Sequence, residues 1–433
     1  MSRKPALSLE AVFREEYGQL LATLVGRFGD LDLAEDATSD ALEAALSRWP
    51  VDGVPSRPGA WLLTTARRRA VDRLRRDQTY AAKLAEIQVE QDRAFQAPSA
   101  DPVDGGLPDE RLQLFFTCAH PALAPDDRIA ITLRCLVGMT TTEVARAFLI
   151  PSSTAGQRIS RAKNKIRVAR IPFRVPDRHE IAQRLPGVLQ VVYSIFTEGY
   201  AASSGEDLLR TDLADEAIRL GRILHGLLPA EREVTGLLSL MLCTHGRSSA
   251  RAGKDGEMVM LEEQDRRLWD REMIDEGRTL VVLALTGGSP GPYGVQAAIA
   301  ALHDEATDAE TTDWPQIAEL YGVLATITPS PIVALNRAAA IAMCEGPSAG
   351  LEAMEALSTE PLLQKYYPYP AARADLLARL ERWPEAARWF QRALGLAGSE
   401  PEKKFVQRRL AACYRNALPT PEGTLDSDTC PHP

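Results

Sequence analysis

The sequence predicts an all-α protein assembled from several helical modules, and three observations predict it. Apolar residues recur at helical spacing from Leu7 to Asp77 and again from His179 to Leu285. Residues 138–174 read as two short helices about a tight turn, the second of them basic. Near the C-terminus, Ala334–Leu357 and Ala371–Leu394 align with a period of 36 to 37 residues; each is a helix, a turn holding Pro347 or Pro384, and a second helix.

A chain of 433 residues has the length for about three domains with buried cores. With 45% apolar and 25% charged residues the composition is that of a soluble globular protein. No apolar run approaches the roughly 18 residues of a membrane span, and MSRKPALSLEAVF lacks the apolar core of a signal peptide. A cytoplasmic protein with no membrane partner is expected. The six cysteines are scattered and form no CxxC, which fits a reducing compartment without a disulfide framework. Cys118 with His120 and Cys243 with His245 are CxH pairs lacking a second ligand pair at zinc-site spacing, so no metal and no cofactor is expected.

Along the chain, Leu9, Val12, Phe13, Tyr17, Leu20, Leu21, Leu24 and Val25 form the apolar stripe of a first helix, broken at Gly29–Asp32. Leu33–Trp49 is a second helix with an acidic face of Glu35, Asp36, Asp40 and Glu43. After a Pro- and Gly-rich loop, Ala60–Arg76 is a third. Trp61, Leu62, Thr65, Val71 and Leu74 are expected inside it, and Arg67, Arg68, Arg69, Arg73, Arg75 and Arg76 outside. An acidic face suits a basic protein partner and a basic helix suits nucleic acid. A short helix over Tyr80–Phe95 and the stretch APSADPVDGGLPD make residues 78–108 a linker. Asp109–Phe116 and Pro125–Leu136 then lead into the two-helix element.

In that element Thr140–Leu149 is the first helix, and Ile150–Ser153 is a turn ending in helix-capping residues. The second helix places Ala155, Ile159, Ala162 and Ile166 on its buried side and Thr154, Gln157, Arg158, Arg161, Lys163, Asn164 and Lys165 on the other. From Val144 to Pro176 there are eight Lys/Arg and no Asp or Glu, in a chain of net charge -9. A local basic patch on an acidic protein points to phosphate contact, and the pattern is that of a helix-turn-helix. Gly156 costs ~1 kcal/mol of helix propensity relative to alanine.

Leu33-Ala34-Glu35-Asp36, Pro58-Gly59-Ala60-Trp61-Leu62, Ala70–Arg76, Ile150–Thr154 and Arg158–Ala162 stand in an order and spacing that resemble regions 2 and 4 of the extracytoplasmic-function sigma factors of bacterial RNA polymerase. The resemblance covers residues 7–170 and departs from the family at Arg68, often Asn, and at Gly156, usually larger or basic. It implies residues 7–77 as region 2 and 109–172 as region 4. It implies core RNA polymerase as a partner, bound through Glu35, Asp36, Asp40 and Glu43. It implies promoter DNA as the other, with Arg67, Arg68, Arg75 and Arg76 at the melted −10 strand. Trp61 matches a family tryptophan and reads more simply as core packing than as base stacking. For the −35 element it implies Arg158 and Arg161 at guanine edges or phosphates and Ser153, Thr154 and Gln157 close to bases, with Lys163, Lys165 and Arg167 at phosphates.

Beyond residue 178 the chain reads as a helical domain (178–290), a repeat array (291–418) and a Pro/Asp/Thr-rich tail (419–433) expected to be disordered. The repeats resemble tetratricopeptide repeats, which imply a concave face for a protein or peptide partner; a plain helical bundle is the alternative. Phe196–Tyr200 and Glu262–Asp270 are candidate ligand-lining segments. A sigma factor so extended resembles a subgroup controlled through its own C-terminal domain. The alternative function is a helix-turn-helix regulator with a repeat sensor domain that never acts as a sigma subunit. An enzyme within 180–290 is a third reading. With no Gly-rich phosphate loop, nucleophile elbow or metal set there, no catalytic residue is assigned.

Overall fold

The computed structural model describes residues 9–76, 110–148, 150–201, 209–253 and 257–417. The expected linker 78–108 with its Tyr80–Phe95 helix, and the tail 419–433, lie outside them. Among the described residues the structure is all-α; the strand-like feature is an isolated antiparallel bridge between Ala252 and Met258. The chain divides into two compact units, residues 1–200 with 210–238 and residues 201–209 with 239–433. That division falls inside the segment read above as one domain over 178–290.

The first unit begins with three helices, α1 (Leu9–Phe28), α2 (Leu31–Asp52) and α3 (Pro58–Arg76). Gly29, at φ 65°, ends α1, and the Asp30 carboxylate accepts from Leu33 N at 3.0 Å to start α2. Leu20, Leu21, Leu24 and Val25 of α1 and Ala34, Ala37, Ala41 and Ala45 of α2 are all buried, and the two helices pack on each other. The inner face of α3 differs in part from the sequence expectation. Leu62, Leu63, Ala66, Ala70 and Leu74 are buried, while Trp61, Thr65 and Val71 are half-buried at its margin. Ala66 and Ala70, at i and i+4, are fully buried, and α3 packs on both α2 and α1.

Four further helices follow: α4 (Arg111–Cys118), α5 (Pro125–Thr132), α6 (Thr141–Ala147) and α7 (Ser152–Val168). The helix expected to run to Leu136 becomes a single π turn at Leu133–Val137, closed by Gly138 at φ 84°. The turn packs hard on α1: a Cβ on Gly18 would lie 2.7 Å from Leu136 O, so only glycine permits this approach. Phe115 and Phe116 of α4 are fully buried beneath the module, each contributing roughly 1.5–3 kcal/mol through burial. Helices α8 (Arg178–Tyr200) and α9 (Thr211–Leu227) pack onto the same body. Arg184 of α8 donates to Phe116 O at 2.7 Å, and Arg210, preceding α9, donates to the carbonyls of Arg146 and Ala147 at the end of α6. Those bonds satisfy orphan carbonyls of a helix C-terminus.

The unit boundary falls within α10 (Arg232–His245). The second unit continues through α11 (Arg271–Leu285), α12 (Pro292–Glu305), α13 (Trp314–Ile327), α14 (Pro331–Glu345), α15 (Pro347–Glu355), the short α16 (Pro361–Gln364), α17 (Pro368–Arg379), α18 (Trp383–Leu396) and α19 (Glu400–Ala417). Sequence neighbours pack as pairs, α14 on α15 and α17 on α18. These are the two expected repeat segments. Pro347 and Pro384 sit in the first turn of the second helix of each pair, where a missing N–H costs nothing. The pair cores are Leu335, Ala338, Ala342 and Met354 in one case and Ala374, Leu377, Ala386 and Phe390 in the other.

Candidate nucleic-acid interface

The two-helix element is built as a helix-turn-helix. Thr140 and Glu143 form a capping box at the start of α6, with Glu143 N to Thr140 Oγ1 at 3.2 Å and Thr140 N to Glu143 Oε2 at 2.7 Å. Helix α7 starts two residues earlier than expected. Pro151 occupies the cap position, and Ser152 and Ser153 are its first helical residues with no side-chain cap. Ala155, Ile159, Ala162 and Ile166 are the buried residues of α7, the four the periodicity singled out. A Cβ on Gly156 would touch only Thr141 Cγ2 at 3.7 Å, so nothing within this unit requires glycine there.

The outer face of α7 carries acids from its own neighbourhood. Arg158 pairs with Asp126 at 2.7 Å, and Arg161 binds Asp127 through two bonds, Nη2–Oδ1 at 2.9 Å and Nε–Oδ2 at 3.3 Å. The fork raises the Arg161 pKa. Both aspartates lie in the first turn of α5 and suit its N-terminal dipole as well. Lys163 reaches farther. Its Nζ lies 2.8 Å from Asp32 Oδ1 and 2.5 Å from Glu35 Oε2, both on α2. Burial works against the ammonium charge, but the bonds to Asp32 and Glu35 outweigh it and raise the Lys163 pKa. Ser153, Gln157 and Lys165 are exposed and Thr154 is half-buried. None of these four side chains has a hydrogen bond or ion pair among the described residues.

On α2 the four acids separate. Glu35 is 6% exposed and holds Arg134 of the π turn at 3.2 Å as well as Lys163. Burial works against the charge on Arg134 too, and Tyr17 and Glu35 beside it raise its pKa on balance. A carboxylate so deep is tolerable only because two cations face it. Asp36 and Asp40 both pair with Arg73 of α3 and stay at the surface, and Glu43 is exposed. On α3, Arg68 and Arg75 are exposed; Arg67 is half-buried, with Nε lacking an acceptor among the described residues. The side chain of Arg76 lies outside the described residues. Burial and the nearby Arg67 lower the Arg27 pKa, which marks a cationic margin beside α3. Trp61 packs edge-on against the buried Trp49 at 5.4 Å, and Trp49 against Phe13 at 5.7 Å. The partners missed in the sequence are Asp32, Asp126, Asp127 and Arg134. Asp126 and Asp127 read as ordinary first-turn acids, and the α2 contacts join residues more than 90 positions apart.

Residues 12–80 match a model of sigma-70 region 2, and residues 116–166 match one of sigma-70 region 4. The chain belongs to the sigma-70 family. Promoter recognition and transcription initiation are the work of these two regions, and core RNA polymerase and promoter DNA are the partners they imply. In this sigma-70 family protein α1–α3 form region 2 and α4–α7 region 4, so the Glu35–Lys163 contact joins the two regions. Residues 184–285 match a family of unknown function (DUF6596). An uncharacterized protein of Rhizobium meliloti (strain 1021) is 42% identical over 393 residues, 90% of this chain and 92% of that protein, so the likeness runs through the extension as well. No solved structure matches the chain. Among the described residues no helix is long and apolar enough to cross a membrane.

Proposed function

We propose that the chain is an extracytoplasmic-function sigma factor, acting in the cytoplasm, whose own helical extension controls it. Region 2 binds the polymerase core through Asp36, Asp40 and Glu43, with Glu35 joining once it is released, and holds the −10 strand along Arg67, Arg68, Arg75 and Arg76. Region 4 reads the −35 element with Ser153, Thr154, Gln157, Arg158 and Arg161, and grips phosphates with Lys163 and Lys165. The single observation that carries the control is the Lys163–Glu35 contact: one pair occupies a cation meant for DNA and an acid meant for polymerase. While it is closed, α7 and α2 block each other, and opening frees both at once. The extension is tetratricopeptide-like, and α8 and α9, packed on region 4, are its link to the switch.

The test is reconstitution of the full chain with bacterial core RNA polymerase on genomic fragments. Promoter-specific transcripts are expected. Asp32→Asn and Asp32→Ala, which remove one of the two acids holding Lys163 and change no assigned DNA or polymerase residue, are expected to raise transcript yield. No binding to core by the chain or either variant would refute the sigma reading. Binding and transcription unchanged in both variants would refute the closed contact alone.

A further inference from the structure

We propose that the second unit binds a small amphipathic molecule with an anionic head, seated in the cavity on the inner side of its helix pairs. This goes beyond the transcription reading and is tested without it. The cavity has a volume of ≈ 560 Å³, within the roughly 300–1,000 Å³ that hold small ligands. Its floor is made by small and flexible residues of two successive pairs: Ala339 and Met343 of α14, Ala371 and Ala372 of α17. Small side chains there leave the volume open. The segment carrying Met260, Leu261 and Glu262 runs along the cavity, and Glu262 is tied to Arg379 of α17 at 3.1 Å.

Glu262, Asp375 and Glu402 line the cavity together with Arg251, Arg266 and Arg379, so the charges match in number but are not all paired. Arg379 is neutralised by Glu262 and Asp375. Arg266, in contrast, is only 9% exposed and pairs with no carboxylate among the described residues. Its Nη1 donates to the carbonyls of His303 at 2.8 Å and Ala306 at 2.5 Å, and its guanidinium lies 4.6 Å from the Trp269 ring centroid. Nε and Nη2 donate to nothing described. Asp304, adjacent in sequence to His303, is engaged by Arg247. His303 stands beside this end with Nδ1 unpartnered among the described residues and its ring 5.2 Å from Trp314. A buried cation with free donors at the end of an apolar cavity is the complement of an acid on an apolar body.

A peptide fits these walls less well. It would bring a backbone N–H and C=O with every residue, and each needs a partner once buried. The alanine and methionine floor offers none, and the uncharged polar side chains of the lining, Thr312, Tyr321, Asn336 and Tyr367, are too few to pair a buried backbone.

The test uses the purified full chain, with 8-anilinonaphthalene-1-sulfonate as reporter and decanoate, decan-1-ol and decylammonium as competitors. Decanoate is expected to displace the dye at one saturable site, about tenfold or more tighter than the alcohol, with decylammonium weakest. Arg266→Gln should remove the preference for decanoate over the alcohol. Ala339→Trp, a filling substitution at an exposed position that leaves the Arg266 bonds intact, should abolish displacement by all three even if Arg266→Gln fails to fold. Equal displacement by the acid and the amine, or binding that survives Ala339→Trp, would overturn the proposal. So would displacement by an acidic peptide library where decanoate fails, which would favour a protein partner. A chain that binds decanoate but never binds polymerase would leave this inference standing and remove the sigma reading.

Discussion

Lys163→Met is the perturbation that reads the region 2–region 4 contact most sharply. Breaking one partner of a fully buried pair costs about 3–5 kcal/mol, and an exposed pair is worth about 0–1 kcal/mol. The side chains here lie between: Lys163 is 20% exposed, Glu35 7% and Asp32 58%. Glu35 also keeps Arg134 after the change. The expected loss is therefore about 2 kcal/mol of stability. The assay is a double-mutant cycle of Lys163→Met and Glu35→Gln in the full chain, read by chemical unfolding and by amide exchange in α2 and residues 133–137. A coupling of about 1–2 kcal/mol is expected, with exchange in both segments rising together. Additive losses, or exchange confined to α7, would show that the two side chains do not hold the regions together.

Gly156→Ala meets only Thr141, so it should stabilise the chain by about 0.5–1 kcal/mol in thermal unfolding; if glycine serves DNA approach, promoter affinity should fall in the same variant. Arg158→Ala and Arg161→Ala should each cost about 1–3 kcal/mol on the cognate promoter, whereas Lys165→Ala should weaken all DNA alike and flatten the salt dependence in binding titrations. Because Asp127 is buried beside Arg161, the loss at Arg161 should be measured with Asp127→Asn present to separate folding from reading. His303 and Asp304 should give opposite pH slopes. Burial raises the Asp304 pKa from 3.8 to about 6, so between those values the folded chain keeps a proton the unfolded chain has lost, and stability falls as pH rises. Burial, with Arg247 and Arg266, lowers the His303 pKa from 6.5 to about 3, so in the same window the folded chain lacks a proton the unfolded chain carries, and stability rises with pH. The two cancel in the native chain. His303→Gln should uncover the falling slope and Asp304→Asn the rising one, each up to about 1.4 kcal/mol per pH unit. Curves parallel to that of the native chain between pH 4 and 6 would refute both assignments.

Helix α7 was legible in the sequence to the residue on its buried side, because a strongly amphipathic helix states its own orientation. Its first turn was not. Serines before a helix look like caps, and only the extended Pro151 makes them the first helical residues. On α3 the aromatic and branched residues drew the expected core toward Trp61 and Val71, while the actual seam used Ala66 and Ala70, which carry little hydrophobic signal. Glu35 shows the larger limit. Among Asp36, Asp40 and Glu43 it looks like one more surface acid, and its burial depends on Arg134 and Lys163, 99 and 128 positions away. The anionic partners of Arg158 and Arg161 were hidden for the same reason. The repeat pairs were legible because each is local, whereas the cavity they line depends on residues 258–266 returning to them.

The most direct measurement is the distance between α2 and α7 in the working protein. Spin labels at Ser47→Cys and Arg167→Cys, both exposed, with Cys344 and Cys430 replaced by serine, report it in the free full chain and in its complex with core RNA polymerase. One short distance distribution in the free chain, replaced by a longer one on polymerase, is the predicted result. An unchanged distribution in a chain that has bound the core would contradict a closed contact between regions 2 and 4.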